Sequence, residues 1–284
     1  LLDSPDIQKT QEKSAMRLGS PEDVIALTPQ NPYDRTEDGR PRVLDDILKR
    51  MELVTLEEAW GVLRRNGYHW QFEGDWVNMH PDRAMVGRAI TAVFTPVRPD
   101  LNDVVNATGE AEDRHGSQNN WVIHTVGEGD VIVADLFGKL RDGTFVGDNL
   151  SNAIQGAGGR GLVVNGGVRD TARIYALDDF NVYCRGYDPT AIRDMTLISL
   201  NGPARMGQAT AMPGDIVLGA RGGIIFIPPH LAEEVVVSSE NVRLRDVFGH
   251  QRLREGKYSS GEIDTQWSPQ IEEDFENWKR KRGE

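Results

Sequence analysis

Twenty residues separate Asp148 from an Arg-Asp pair, Arg169-Asp170, and the stretch between them is glycine-rich and apolar. Two acids and a guanidinium at loop-like positions, flanking a helix and a buried strand, are the parts of a metal-assisted reaction on an anionic substrate. Carboxylates hold a hard cation, and an arginine fork clamps a carboxylate through two parallel hydrogen bonds. Gly147-Asp148-Asn149-Leu150 precedes a helix, so the backbone N–H groups of Asn149 and Leu150 can face an anion at a helix N-terminus. Gly166-Gly167-Val168 follows a buried strand and puts Arg169 and Asp170 near its carboxyl end, where ligands collect in α/β sheets. Each residue also has a structural reading: Asp148 as an N-cap, Arg169-Asp170 as a surface ion pair. Tight glycine loops on both sides favour a shared site.

The elements that must position these residues can be read from periodicity. Leu44, Ile47, Leu48 and Met51, then Leu56, Ala59, Trp60 and Leu63, predict two amphipathic helices, with Gly67 as a stop. Strands are expected at 85–97, 130–138 and 161–167, with one helix around Asn102–Val126 and another over NLSNAIQGAGG, ended by its glycines. Strand, helix, strand at that spacing predicts parallel pairing through right-handed crossovers. Further strands are expected at 180–186, 203–207, 215–220 and 223–228, the last two as a hairpin opened by Pro213-Gly214. Pro229 suits the first turn of a C-terminal helix. The aromatic patch at residues 69–80 reads as either a hairpin or a loop lining a cleft.

The domain reading is an N-terminal extension over residues 1–42, an α/β catalytic domain over 43–256, and a charged tail over 257–284. Both ends are expected to lie against neighbouring chains. The 284 residues carry a formal charge of −12, which argues against a general nucleic-acid binder. No run of 18 apolar residues appears, so no membrane partner is expected. The single cysteine, Cys184, can form no internal disulfide and suits a reducing, cytoplasmic setting; because the chain starts at Leu1, removal of a leader is an open alternative. The six histidines are dispersed, without metal-site spacing. Gly156-Ala157-Gly158-Gly159 precedes a strand, the wrong order for a dinucleotide loop.

The segment GDNLSNAIQGAGGRGLVVNGGVRD resembles the signature of the RraA-like superfamily, which contains metal-dependent 4-hydroxy-4-methyl-2-oxoglutarate aldolases and regulators of ribonuclease activity. The similarity extends to Gly87-x-Ala89-x-Thr91, Gly129-Asp130-Val131-Ile132-Val133, Pro213-Gly214-Asp215 and Gly222-Gly223-Ile224, over about residues 45–256. The resemblance implies a swivelling β/β/α domain, here with N- and C-terminal extensions, assembled as a homotrimer or a dimer of trimers. It implies Mg²⁺ or Mn²⁺ on Asp170, a 2-oxo acid on Arg169, a substrate carboxylate at the backbone of Asn149 and Leu150, and Asp148 orienting water or moving a proton. It also implies an acid supplied by a neighbouring subunit, for which Asp246 and Glu240 are the candidates. Glu57-Glu58 stand where the family usually carries Ser-Asp.

The implied activity is class II retro-aldol cleavage of a 4-hydroxy-2-oxo acid to pyruvate, together with decarboxylation of oxaloacetate. The alternatives are a non-catalytic regulatory or binding protein on the same fold, and a lyase or hydratase acting on another sugar acid. The aromatic patch and the segment at 98–120 point to a substrate bulkier or more sugar-like than a methyl-oxoglutarate.

Overall fold

The computed structural model describes residues 18–283. Four parallel strands form the centre of the sheet: β3 (Met85–Pro96), β4 (Asp130–Thr144), β5 (Gly161–Val168) and β6 (Asn181–Tyr187). They are joined by helical crossovers: α4 (Pro99–Ala111) and α5 (Gln118–Ile123), then α6 (Asp148–Gly156), then α7 (Thr171–Tyr175). The single helix expected around Asn102–Val126 is therefore two helices. Asp113, with φ 54, and Gly116, with φ 79, turn the chain between them; positive φ is incompatible with continuing a right-handed helix. On the far side of β3 the antiparallel hairpin of β10 (Ile216–Ala220) and β11 (Gly223–Ile227) extends the sheet. The sequence pattern predicted this pair, the parallel pairing of β3, β4 and β5, and strands at β6 and β8. It did not reveal β7 (Met195–Leu200), which pairs antiparallel with β3 across a bulge, or β9 (Ala209–Ala211), which pairs with β8 (Ala204–Met206).

The strands alternate between two cores, as a period of two requires. Ile90, Ile132, Leu162 and Val182 pack against Val105, Trp121, Ile154 and Ile174 from the crossover helices. Ala89, Val131, Val163 and Tyr183 face the other way, toward Met206, Ala211 and Phe226. Behind the hairpin, α2 (Asp45–Met51), α3 (Leu56–Arg65) and the long α8 (Ala232–Arg254) close a third cluster around Met51, Leu63, Ile225 and Val235.

The aromatic patch is not a hairpin. Its two short strands, β1 (Phe72–Glu73) and β2 (Val77–Asn78), pair with β11 and β6, which lie at opposite ends of the sheet order. Three residues separate them, so the sheet must curl until its two edges nearly meet. That arrangement leaves few open strand edges.

Among the described residues both terminal segments fold onto their own chain; residues 1–17 of the expected extension lie outside them. Leu18, Val24 in α1 (Pro21–Leu27) and Val43 are buried, and Arg40 makes a two-armed ion pair with Asp130 at 3.0 and 3.0 Å inside the protein. At the other end, α9 (Ser260–Ile263) and α10 (Pro269–Arg282) follow α8. The tail tryptophans Trp267 and Trp278 pack with Ile271 and Phe275 around the buried Phe248 of α8. The charged composition of these ends conceals this packing in the sequence. Charge on one face of a short helix hides the apolar stripe on the other. Among the described residues, no helix is long and apolar enough to cross a membrane.

Candidate functional site

Strand β5 is buried from Gly161 to Val168, and the chain surfaces immediately beyond it. Asp170 adopts the left-handed conformation, φ 54 and ψ 35, and caps α7. Aspartate is among the few non-glycine residues that tolerate this region, and the sharp turn lifts its carboxylate back toward the strand end. Meanwhile β4 runs on to Thr144 through irregular register, and the next residues are laced to β5. The Phe145 N–H donates to the Gly167 carbonyl at 2.9 Å, and the Arg169 N–H donates to the Val146 carbonyl at 3.1 Å. From α5, the buried Asn119 amide donates to the Phe145 carbonyl at 2.8 Å. Part of the segment at 98–120 is thus a brace beneath the site.

These bonds deliver Gly147 to the carboxylate of Asp170. A Cβ on Gly147 would lie 2.3 Å from Asp170 Oδ2 and 3.0 Å from Arg169 Nε. Only glycine permits so close an approach. The next residue, Asp148, opens α6, with Gly147 rather than Asp148 as the N-cap. Its N–H points to Asp170 Oδ2 at 3.4 Å, while Arg169 Nε stands 3.7 Å from the same oxygen. The three residues singled out by their spacing therefore meet, on an open shelf where the Arg169 and Asp170 side chains are 42% and 40% exposed.

The Asp148 carboxylate is less exposed, at 18%, and both its oxygens are engaged. Oδ2 accepts a 2.7 Å bond from Arg173 and Oδ1 accepts the Asn149 N–H at 2.9 Å. The Arg173 hydrogen bond, followed by the Asn149 N–H, holds the Asp148 carboxyl below the usual aspartate range. The two backbone donors expected to face a substrate differ accordingly. That of Asn149 is filled by Asp148, whereas that of Leu150 has no protein acceptor among the described residues. A first-turn aspartate competes for its own helix's N–H groups, which is why reading Asn149 and Leu150 alike from sequence fails here.

Arg173 was absent from the sequence reading. The available signal was its place three residues after Asp170, which on a helical turn returns it to the same side. A second group was also missed: at the carboxyl ends of β4 to β6, Arg185 donates to Asn165 at 3.0 Å and to Glu73 at 2.6 Å, and Asn165 donates to Asp135 at 2.7 Å. Trp76 of the aromatic patch stacks on the Arg185 guanidinium, 3.8 Å from ring centroid to carbon. The patch is thus anchored by cation–π contact.

Other candidates are placed as follows. Asp246 is exposed on α8. Glu240 is held by both arms of Arg50 at 2.8 Å each, an intrachain pair. Glu58 completes the capping box of α3 with Thr55 and accepts from Ser239 at 2.7 Å, so it serves the fold. Lys139 donates to the Arg193 carbonyl at 2.8 Å. His80 is buried and stacked on Tyr175, centroids 4.4 Å apart, and burial, followed by the charge of Arg83, lowers its pKa. Cys184 is buried, and burial pushes its thiol up to about 12.

Among the described residues, no group of three or more His, Cys, Asp or Glu side chains is arranged to hold a metal ion. That excludes a closed zinc-type cage within this set. It is compatible with Mg²⁺ or Mn²⁺, which keep several waters and need only one or two carboxylates. Asp170, half exposed and set against the side of Gly147 that lacks a Cβ, fits that requirement.

Comparison with known proteins identifies a family. The family model described as "RraA-like: Aldolase/RraA" matches residues 53–226. An uncharacterized protein of Methanocaldococcus jannaschii is 27% identical over 168 residues, spanning 57% of this chain and 79% of its own length. A protein of Halalkalibacterium halodurans, named "Putative 4-hydroxy-4-methyl-2-oxoglutarate aldolase", is 29% identical over 162 residues, spanning 55% and 76%. Among solved structures, an uncharacterized protein from Pseudomonas syringae pv. tomato superposes with a TM-score of 0.66 at 20% identity, over 82% of this chain and 97% of that one. RraAS2 of Streptomyces coelicolor, described as an unusual member of the RNase ES inhibitor RraA protein family, superposes with a TM-score of 0.63 at 24% identity, over 74% and 100%. The swivelling β/β/α architecture and the matched span agree, and the chain belongs to the RraA-like family.

Proposed function

We propose that this protein is a divalent-metal-dependent lyase that cleaves a 4-hydroxy-2-oxo acid by a retro-aldol reaction, releasing pyruvate. The observation that carries the reading is the meeting of Asp148, Arg169 and Asp170 at the end of β5 and the start of α6. The name of the Halalkalibacterium halodurans relative points the same way.

The chain's own groups divide the work. Among the described residues the Arg169 guanidinium has no partner besides Asp170, so its fork is free to take the substrate carboxylate in a two-armed grip. The open Leu150 N–H at the positive end of α6 adds a second donor for that anion. Asp170 would hold the cation, which when bound supplies a Lewis acid at the 2-oxo group as the carbon–carbon bond breaks. Asp148, its carboxyl held below the usual aspartate range by Arg173, carries a fixed negative charge and is not an acid near neutrality. It orients the water that takes the C4 hydroxyl proton. The C3–C4 bond then breaks, its electron pair settles on C3 and the adjoining 2-oxo group, and a proton returned to C3 completes pyruvate. Decarboxylation of oxaloacetate passes through the same charge distribution and belongs to the same proposal. So does assembly as a homotrimer or dimer of trimers, in which the exposed Asp246 is the acid offered to a neighbour.

Pyruvate release is the test, measured with Mg²⁺ or Mn²⁺ and again with chelator, for the native chain and Asp170→Ala. The reading expects release that depends on added metal and falls at least ~100-fold in the variant, as for loss of a principal transition-state contact. Unchanged release from Asp170→Ala would remove the metal role assigned here.

A further inference from the structure

Arg173 is the second guanidinium at the site, and it is 79% exposed. It uses one nitrogen, Nη1, on Asp148; among the described residues no other acceptor bonds its Nε or Nη2. Arg169 and Arg173 therefore border the same two acids, one from the end of β5 and one from the helix α7 that follows it. Two carboxylates and two guanidinium groups cancel. A divalent cation on Asp170 leaves the cluster with two uncompensated positive charges, and a ligand bearing two carboxylates would neutralise them. A ligand with one carboxylate would leave a residual charge. We infer that Arg173 is a specificity-determining residue, whose free edge takes the distal carboxylate of a dicarboxylic 2-oxo acid while Nη1 stays on Asp148.

The inference rests on the lyase reading for the placement of the 2-oxo acid carboxylate on Arg169, but it can be tested without turnover. In Mg²⁺ buffer, the native chain should bind 2-oxoglutarate at least ~10-fold more tightly than 2-oxobutyrate by calorimetry, a ratio in the range of one charge-assisted contact. Arg173→Ala should erase that preference, bringing the affinities for the two ligands within about threefold of each other, whatever the release of Asp148 does to both alike. Arg173→Lys, which restores a cation but not a planar fork, should recover the preference in part. A native chain without preference, or an Arg173→Ala variant that keeps it, overturns the assignment. A chain that shows the Arg173-dependent preference yet releases no pyruvate retains this specificity residue and loses the lyase reading. Pyruvate release without that preference does the reverse.

Discussion

Gly147→Ala adds one methyl group at the point where the two halves of the site touch. The backbone there, φ −115 and ψ −163, is extended and open to any residue. The cost therefore falls on what the methyl meets: Asp170 Oδ2 at 2.3 Å and Arg169 Nε at 3.0 Å. A carbon–oxygen contact relaxes at roughly 3.3 Å, so the carboxylate must retreat by about 1 Å. Because that atom is the end of a side chain 40% exposed, it can swing outward with little strain on the fold. Stability should change by no more than about 1 kcal/mol, the lower unfolded-state entropy of alanine offsetting some of the strain. Function should suffer far more. A displacement of about 1 Å in a positioning group is worth ~100-fold in rate, or about 2.7 kcal/mol in the barrier. The assay is pyruvate release coupled to NADH oxidation, with thermal melting in parallel. Gly156→Ala is the control, since a Cβ on Gly156 meets nothing within 4 Å. Activity of Gly147→Ala within threefold of native, at unchanged melting temperature, would show that the Asp170 position is immaterial to the chemistry.

The other expectations concern stability and pH. Arg40→Met strands Asp130, whose side chain is 4% exposed, and should cost about 3–5 kcal/mol in urea unfolding; a loss below 1 kcal/mol would mean that Asp130 finds another partner or water. Asp215 is buried, and burial raises its pKa to about 7 despite the N–H donated by Met212. Its folded pKa lies above the unfolded value, so the native state holds the proton more tightly. That contribution is complete below about pH 4 and is lost as pH rises toward 7. Asp215→Asn, which keeps an acceptor for Met212, should gain stability relative to native across that window, on the order of 3–4 kcal/mol by pH 7, and a flat difference in paired urea titrations would refute this. Phe248→Ala should cost about 3–5 kcal/mol, because the tail helices pack on that ring; an unchanged melting curve would show that the tail folds independently of it.

How far the sequence reveals this molecule depends on the range of the interactions involved. The parallel strands were legible because burial on both faces writes a continuous apolar run, as in Val131-Ile132-Val133 and Leu162-Val163-Val164. The hairpin was legible because Pro213-Gly214 and Gly222 punctuate it. Strand β7 was missed although Asn201-Gly202-Pro203 closes it, because so short a run is defined by pairing with β3, about a hundred residues away. The aromatic patch failed for the same reason: its partners are the two edges of a sheet assembled from elsewhere, and local pattern cannot say which edge comes first.

The candidate site divides along the same line. Asp148, Arg169 and Asp170 could be named because a strand end, a tight glycine turn and a helix start are local features, and the crossover joins them within one unit. What the acids bond to could not. The Asn149 N–H is diverted to Asp148 Oδ1 only because Arg173 reaches from α7 to hold Oδ2 and fixes the carboxylate's rotation. This division has a consequence for the chemistry. In the proposed lyase, an Asp148 free of Arg173 would be free to turn toward the cation that Asp170 is assigned, and would compete with water for it. Pinned as it is, it presents a fixed negative charge beside Asp170, and Asp170 is left as the exposed carboxylate. The asymmetry between two acids of identical type is thus set by one arginine on a five-residue helix, and the division of roles between them follows from that contact.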